Sequence, residues 1–281
     1  MKRRRPGERG CTMVDYHLHT PLCRHALGSP SEYLEAAREK GLREIGFADH
    51  YPLGLLGVKP QSEVTMSPGE LAGYIGEIKA LAAGEKEIRV KLGVEVDYLP
   101  GKAKELARLL AREPFDYVIG SIHFMGDWDF THPLQEARYK TLDLAQVYRR
   151  YFELLWQACS SGLFDIIGHI DVVKKFGYRL SDDEMEPYWR CTARILKENG
   201  LCFELNSSGR AAPAAEFYPG RRLLELCCRE GVPVTLGSDA HAPDQVGRYF
   251  DDALRLLREA GYRELAVFTA RQRSFIPLEE V

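Results

Sequence analysis

The chain has 281 residues, 45% of them apolar, and a formal net charge of −3. That is enough apolar material for one large core or two modest ones, and the near-neutral balance without a basic stripe argues against extended binding to a nucleic-acid backbone. The seven cysteines are an odd number without a Cys-x-x-Cys pair, and no secretory core or long apolar span is present. Neither disulfide stapling nor membrane insertion is expected, and the composition suits a cytoplasmic protein with reduced thiols.

Residues 1–12 are basic, polar and contain Gly and Pro, so they are expected to be a disordered extension before a barrel domain spanning 13–281. The first predicted strand, 14–19, carries His17 and His19 two positions apart, which places both imidazoles on one face. Alone, this pair fits a metal site and a plain alternating strand equally. Cys23 follows in a loop, where its sulfur would suit zinc or simply pack against the core.

Helical spacing over 31–40, opened by Ser29-Pro30-Ser31-Glu32 and stopped by Gly41, leads to a strand at 45–48 that ends in Asp49-His50. The pattern then repeats. Helices are predicted over 68–81, 101–112, 145–160, 183–199, 219–229 and 251–260. Strands are predicted over 90–98 with Glu95, 117–123 with His123, 165–169 with His169, 202–206, and 234–238 leading to Asp239 and His241. Seven strands alternating with helices imply a parallel sheet. A closed ring would bring the ligand-bearing ends to one mouth, whereas an open sheet would hold them apart, so the expected fold is α/β, a distorted seven-stranded (β/α)7 barrel of TIM-barrel type.

The irregular segments 51–67 and 124–141 both leave the mouth side and are candidates for lids or substrate walls. Trp128, Phe130 and His132 in the second are candidates to touch a substrate ring, or to form an ordinary loop cluster. The sixth strand carries no histidine, yet Glu204 and Asn206 share a face, followed by Arg210. Both residues are candidates for substrate binding. Arg210 could grip a phosphate, and Lys174 or Lys175 could add a point charge, against the alternatives of a loop salt bridge and a solvated basic pair.

The motifs His17-Leu18-His19-Thr20-Pro21, Ala48-Asp49-His50, Gly93-Val94-Glu95, Gly120-Ser121-Ile122-His123-Phe124, Gly168-His169-Ile170-Asp171 and Gly237-Ser238-Asp239-Ala240-His241 resemble the PHP superfamily, the polymerase and histidinol phosphatase domains. The stretch His19-Thr20-Pro21-Leu22-Cys23-Arg24-His25-Ala26, with Asn206-Ser207-Ser208-Gly209-Arg210, is similar to its stand-alone phosphatases of histidine biosynthesis. The resemblance implies three divalent transition-metal ions, Zn, Fe or Mn. It assigns His17, His19, Glu95 and Asp239 to one, the bridging Glu95 with His123 and His169 to the second, and His25, His50 and His241 to the third. Hydrolysis of a small phosphate monoester, L-histidinol phosphate, by a metal-bridging hydroxide is then expected, with Glu95 and Asp239 central to catalysis. Asp49 and Asp171 are candidates to orient a ligand or to donate a proton. A PHP phosphodiesterase acting on nucleic-acid ends is the alternative. No partner macromolecule or membrane is expected, and the oligomeric state is not legible.

Overall fold

The computed structural model describes residues 13–58 and 64–278, so the extension expected at 1–12 lies outside the described residues. Seven parallel strands form one sheet in chain order: β1 (Val14–Leu18), β2 (Glu44–Phe47), β3 (Arg89–Asp97), β4 (Tyr117–Ser121), β7 (Ile166–Ile167), β8 (Cys202–Asn206) and β9 (Val234–Gly237). Its two edges meet. His19 N donates to Ala240 O at 3.0 Å and Ala240 N donates to His17 O at 3.1 Å, which brings the first and last strands into register at the mouth. The expected barrel is therefore the observed one.

Among the described residues seven α-helices wrap the sheet: α1 (Pro30–Glu39), α2 (Leu71–Gly84), α3 (Ala103–Leu110), α4 (Leu144–Cys159), α5 (Asp182–Glu198), α6 (Arg221–Glu230) and α7 (Phe250–Ala260). Capping boxes start α1 at Ser29 with Glu32 and α5 at Ser181 with Glu184, each satisfying helix N–H groups that the first turn leaves unpaired. The second helix begins three residues later than its sequence signal. Glu70 accepts from Ser67 N at 2.8 Å, which closes a turn over 67–70 before the helix starts.

Tyr117 fills the barrel interior, and its hydroxyl donates to Tyr16 O at 2.7 Å. A Cβ at Gly46 would lie 2.0 Å from its hydroxyl oxygen and one at Gly93 2.2 Å from its ring, so only glycine lets β2 and β3 close around it. Directly above this plug, Glu95 N donates to Asp49 O at 3.0 Å and Tyr51 N donates to Glu95 O at 2.7 Å. The close-packed floor thus sets the height of Glu95 and His50 at the mouth.

Two hairpins were not expected. The segment 124–141 contains β5 (Phe124–Met125) paired with β6 (Trp128–Asp129), followed by a 3-10 helix over 133–141, so it is an ordered wall. Trp128 and Phe130 are buried, with Trp128 edge-on to Tyr139 at 4.8 Å and Phe130 edge-on to Tyr151 at 5.5 Å. They are core residues and do not line the mouth. At the C-terminus β10 (Glu264–Thr269) pairs with β11 (Gln272–Pro277). Its turn ties Ala270 N and Arg271 N to Asp116, and Arg271 Nε to Asp165 at 2.7 Å, which closes the barrel end opposite the mouth.

Candidate metal centre

Strand C-terminal ends deliver His50, Glu95, His123, His169, Asp239 and His241 to one cavity of about 540 Å³, joined by His25 from the turn after β1, with His17 and His19 fully buried behind Glu95. Glu95, 1% exposed, is the hub. Its Oε1 lies 3.0 Å from His169 Nε2 and 3.5 Å from His123 Nε2. Its Oε2 lies 3.2 Å from His17 Nε2, 3.5 Å from His19 Nε2 and 3.0 Å from His50 Nδ1. Asp239 Oδ1 stands 3.4 Å from His19 Nε2 and 3.9 Å from His17 Nε2. His169 and Asp239 reach these positions with φ of 21° and 53°, a left-handed backbone costly for residues with a Cβ.

The outward-facing nitrogens explain the orientation of the rings. His17 Nδ1 is 2.8 Å from Glu204 Oε2, His123 Nδ1 is 2.9 Å from Asp97 Oδ1, His25 Nδ1 is 2.6 Å from Cys23 O, and His241 Nδ1 is 3.0 Å from Asp239 O. Each Nδ1 meets an oxygen that only accepts, so the proton sits there and the Nε2 lone pair points inward. Among the described residues His17 Nε2, His19 Nε2 and Glu95 Oε2 are buried without a hydrogen-bond partner. His25 Nε2 and His241 Nε2 face each other at 2.9 Å, and His123 Nε2 and His169 Nε2 do so at 3.2 Å. Between His25 and His241, whose Nδ1 protons are spent on carbonyls, opposed lone pairs at that distance repel, and a cation between them would turn the repulsion into ligation. The donor set fits divalent transition metals.

Burial disfavours charge throughout, but the neighbours divide the cluster. Around His17 and His123 burial is outweighed by carboxylates: Glu204, Glu95 and Asp239 hold His17 well above the usual imidazole range, and Asp97 and Glu95 raise His123 to about 9. Against burial, the imidazoles hold Glu95 and Asp239 well below the usual carboxylate range. For His25 burial, then His50 and His19, outweigh the Cys23 carbonyl and the weaker pull of Asp239 and push it down to about 4.

The residues expected to bind substrate separate into different places. Glu204 and Asn206 are fully buried. Glu204 accepts from His17, from His169 N at 2.8 Å and from Asn206 Nδ2 at 2.8 Å, so it orients imidazoles and does not face the cavity. A Cβ at Gly237 would lie 2.4 Å from its Oε2, which shows how tightly it is held. Asn206 Oδ1 in turn takes Ser208 N at 2.9 Å. Arg210 sits outside this cavity, its guanidinium over Phe217 and donating to Ala215 O at 3.2 Å. Lys174 is locked between Asp171 Oδ2 and Glu216 Oε2, each at 2.8 Å, in a neighbouring cleft that also holds Asp171. The expectations for Arg210, Lys174 and Asp171 at the reacting centre therefore do not match their placement: other partners have taken their charged atoms. Lys175 does line the cavity, donating to Thr131 O at 2.9 Å, and burial pushes its amine down from the usual range. His132 lies at the rim, where its Nδ1 accepts from Leu134 N at 3.2 Å. Asp49, fully buried, accepts from Thr20 N at 3.1 Å and stands 3.8 Å from His19 Nδ1, the position of an orienting group.

Asp97, Asp129 and Arg24 line the cavity without having been singled out in the sequence. Asp97 had a usable signal, since it lies two residues after Glu95 on β3 and so on the same face. Cys23 is fully buried, with its sulfur within 4.8 Å of donor atoms of His25 and His241, and likewise of His19 and Asp49.

A model of the PHP domain family matches residues 15–208. The chain belongs to that family. It is 40% identical over 268 residues to the probable histidinol-phosphatase of Deinococcus radiodurans, covering 94% of this chain and 99% of that one. It is 28% identical over 260 residues to the histidinol-phosphatase of Bacillus subtilis, covering 84% and 96%. In fold it is similar to the crystal structure of histidinol phosphate phosphatase from Lactococcus lactis complexed with zinc, L-histidinol and phosphate. The TM-score is 0.82 at 24% identity, with 94% of this PHP chain and 99% of that one covered.

Proposed function

We propose that this PHP protein is a metal-dependent histidinol-phosphatase, hydrolysing L-histidinol phosphate to L-histidinol and phosphate. The observation that carries the reading is an unbroken set of seven imidazoles and two carboxylates in a chain related over nearly its whole length, at 40% identity, to a protein named probable histidinol-phosphatase. We assign His17, His19, Glu95 and Asp239 to one ion, Glu95, His123 and His169 to a second, and His25, His50 and His241 to a third, with zinc, iron or manganese compatible with those donors. Bound divalent ions would supply charge neutralisation at the phosphoryl oxygens and lower the pKa of a coordinated water toward about 7.

The chain's own groups do the rest. Glu95 spans the cluster, its two oxygens serving different imidazoles. Glu204, Asp97 and the Cys23 and Asp239 carbonyls fix the proton on Nδ1 of four rings, so that those rings need no reorganisation to bind. Lys175, at the cavity wall, takes the phosphate-contact role that the sequence divided among Lys174, Lys175 and Arg210.

Metal-loaded protein offered histidinol phosphate, an aryl phosphate and a single-stranded oligonucleotide tests the reading. The expected result is a kcat/KM for histidinol phosphate about 10²-fold above the aryl ester, with the oligonucleotide untouched. Equal turnover of the two esters, or preference for the oligonucleotide, overturns it.

A further inference from the structure

The cavity wall beside His123 is built from the β5–β6 hairpin and the segment after it, and it carries a carboxylate that contacts none of the nine clustered side chains. Asp129, at the end of β6, is 4% exposed and lines the cavity. Its Oδ1 accepts from Thr131 N at 3.2 Å and from Thr131 Oγ1 at 2.9 Å. Among the described residues no group donates to its Oδ2, and no Lys, Arg or His forms an ion pair with it. Lys175 and His123 feel its charge through space, but neither touches it, and the hydrogen bond from Lys175 goes to the Thr131 carbonyl at 2.9 Å. The hairpin is rigidly placed, since Phe130 N donates to His123 O at 3.1 Å and Phe124 pairs with Asp129 across the two strands.

A carboxylate nearly removed from water, held on one oxygen and open on the other, is costly unless a cation meets it. A phosphate cannot be that partner, because like charges repel. Resting on the functional reading above, we propose that Asp129 is the subsite for the primary ammonium of an amino-alcohol phosphate, the leaving-group end of the substrate. The ester is then oriented in the cavity, with the phosphate toward the histidine cluster and the ammonium toward Asp129 Oδ2. The pairing confers selectivity as well as affinity, since an ester lacking the amine leaves Asp129 buried and unmatched.

The test compares histidinol phosphate with its desamino analogue, the phosphate ester of 3-(imidazol-4-yl)propanol, in wild type and in Asp129→Asn. Asn keeps an oxygen for Thr131 and removes the charge. The wild type should favour the amino ester in kcat/KM by about 10- to 100-fold, the range expected of a hydrogen bond to a charged group, and the variant should bring the ratio to near 1. Calorimetry of the two alcohol products should show the same collapse. If Asp129→Asn fails to fold, Asp129→Ser is measured in the same way. A selectivity ratio that survives in the variant, or that is already near 1 in the wild type, overturns the subsite. The functional reading fails on a different comparison, histidinol phosphate against the aryl ester, so the two failures are told apart.

Discussion

His169 and Asp171 are separated by one residue, yet they belong to two buried charge clusters of opposite character. On the Asp171 side the charges satisfy one another. Lys174 Nζ lies 2.8 Å from both Asp171 and Glu216, Glu216 lies 2.8 Å from Arg179 Nη1, and Gly220 N donates to Asp171 Oδ2 at 2.9 Å. On the His169 side, inward-facing ring nitrogens converge on one another and on Glu95. The difference teaches that buried charge alone does not mark a functional site. What marks it is valence left unmet, and among the described residues the Asp171 cluster leaves only Asp171 Oδ1 in that state while the His169 cluster leaves several.

The sharpest way to break the comparison is Glu95→Gln. This change leaves the shape intact and removes the charge that five imidazoles share. Activity should fall by on the order of 10³-fold or more, together with metal content measured by elemental analysis. A variant that keeps full metal and turnover would deny Glu95 the central position.

Lys174→Met attacks the self-satisfied cluster instead, and its effect should appear in stability. Removing the cation strips the buried Asp171 of its ion-pair partner, while half-exposed Glu216 keeps Arg179, so the cost should be about 3 kcal/mol, the low end for a broken buried pair, in denaturant unfolding at neutral pH. Burial already raises the Asp171 carboxyl above its usual range, against the pull of Lys174. A group whose folded-state pKa is raised adds stability when protonated and loses it as pH rises through the folded value. The loss in Lys174→Met should therefore shrink as the pH is lowered. A large drop in metal content with unchanged stability would show that the two clusters are not separate.

The periodic features were legible in the sequence and the tertiary ones were not. Strand–helix alternation, glycine stops and a ligand at nearly every strand end gave the barrel and the metal cluster, because each is encoded within a few residues. The C-terminal hairpin escaped because its turn uses Ala270 and Arg271, at φ of 47° and 62°, where Asn-Gly would have announced it. Arg210 and Lys174 read as phosphate ligands because composition shows a cation but not its partner. Phe217, Ala215, Asp171 and Glu216 had already taken them. Glu204 was expected at the substrate wall, and its oxygens accept from His17, His169 N and Asn206.

Glu204 therefore offers the finest test of where one region ends and the other begins. As a substrate group it would face the cavity, and Glu204→Gln would raise KM while leaving metal content alone. As the acceptor for His17 Nδ1 it acts through the ring: the carboxylate selects the tautomer and raises the basicity of Nε2. A Gln side chain can turn its amide nitrogen toward Nδ1 and favour the opposite tautomer, while its oxygen still serves His169 N. The expected result is a loss of about 10- to 100-fold in metal affinity, with activity falling in step and recovering when excess metal is added. Recovery is the decisive feature, because added metal rescues a misoriented ligand but not a missing substrate contact. A raised KM that persists at saturating metal would return Glu204 to the substrate wall and make the sixth strand a part of the specificity surface.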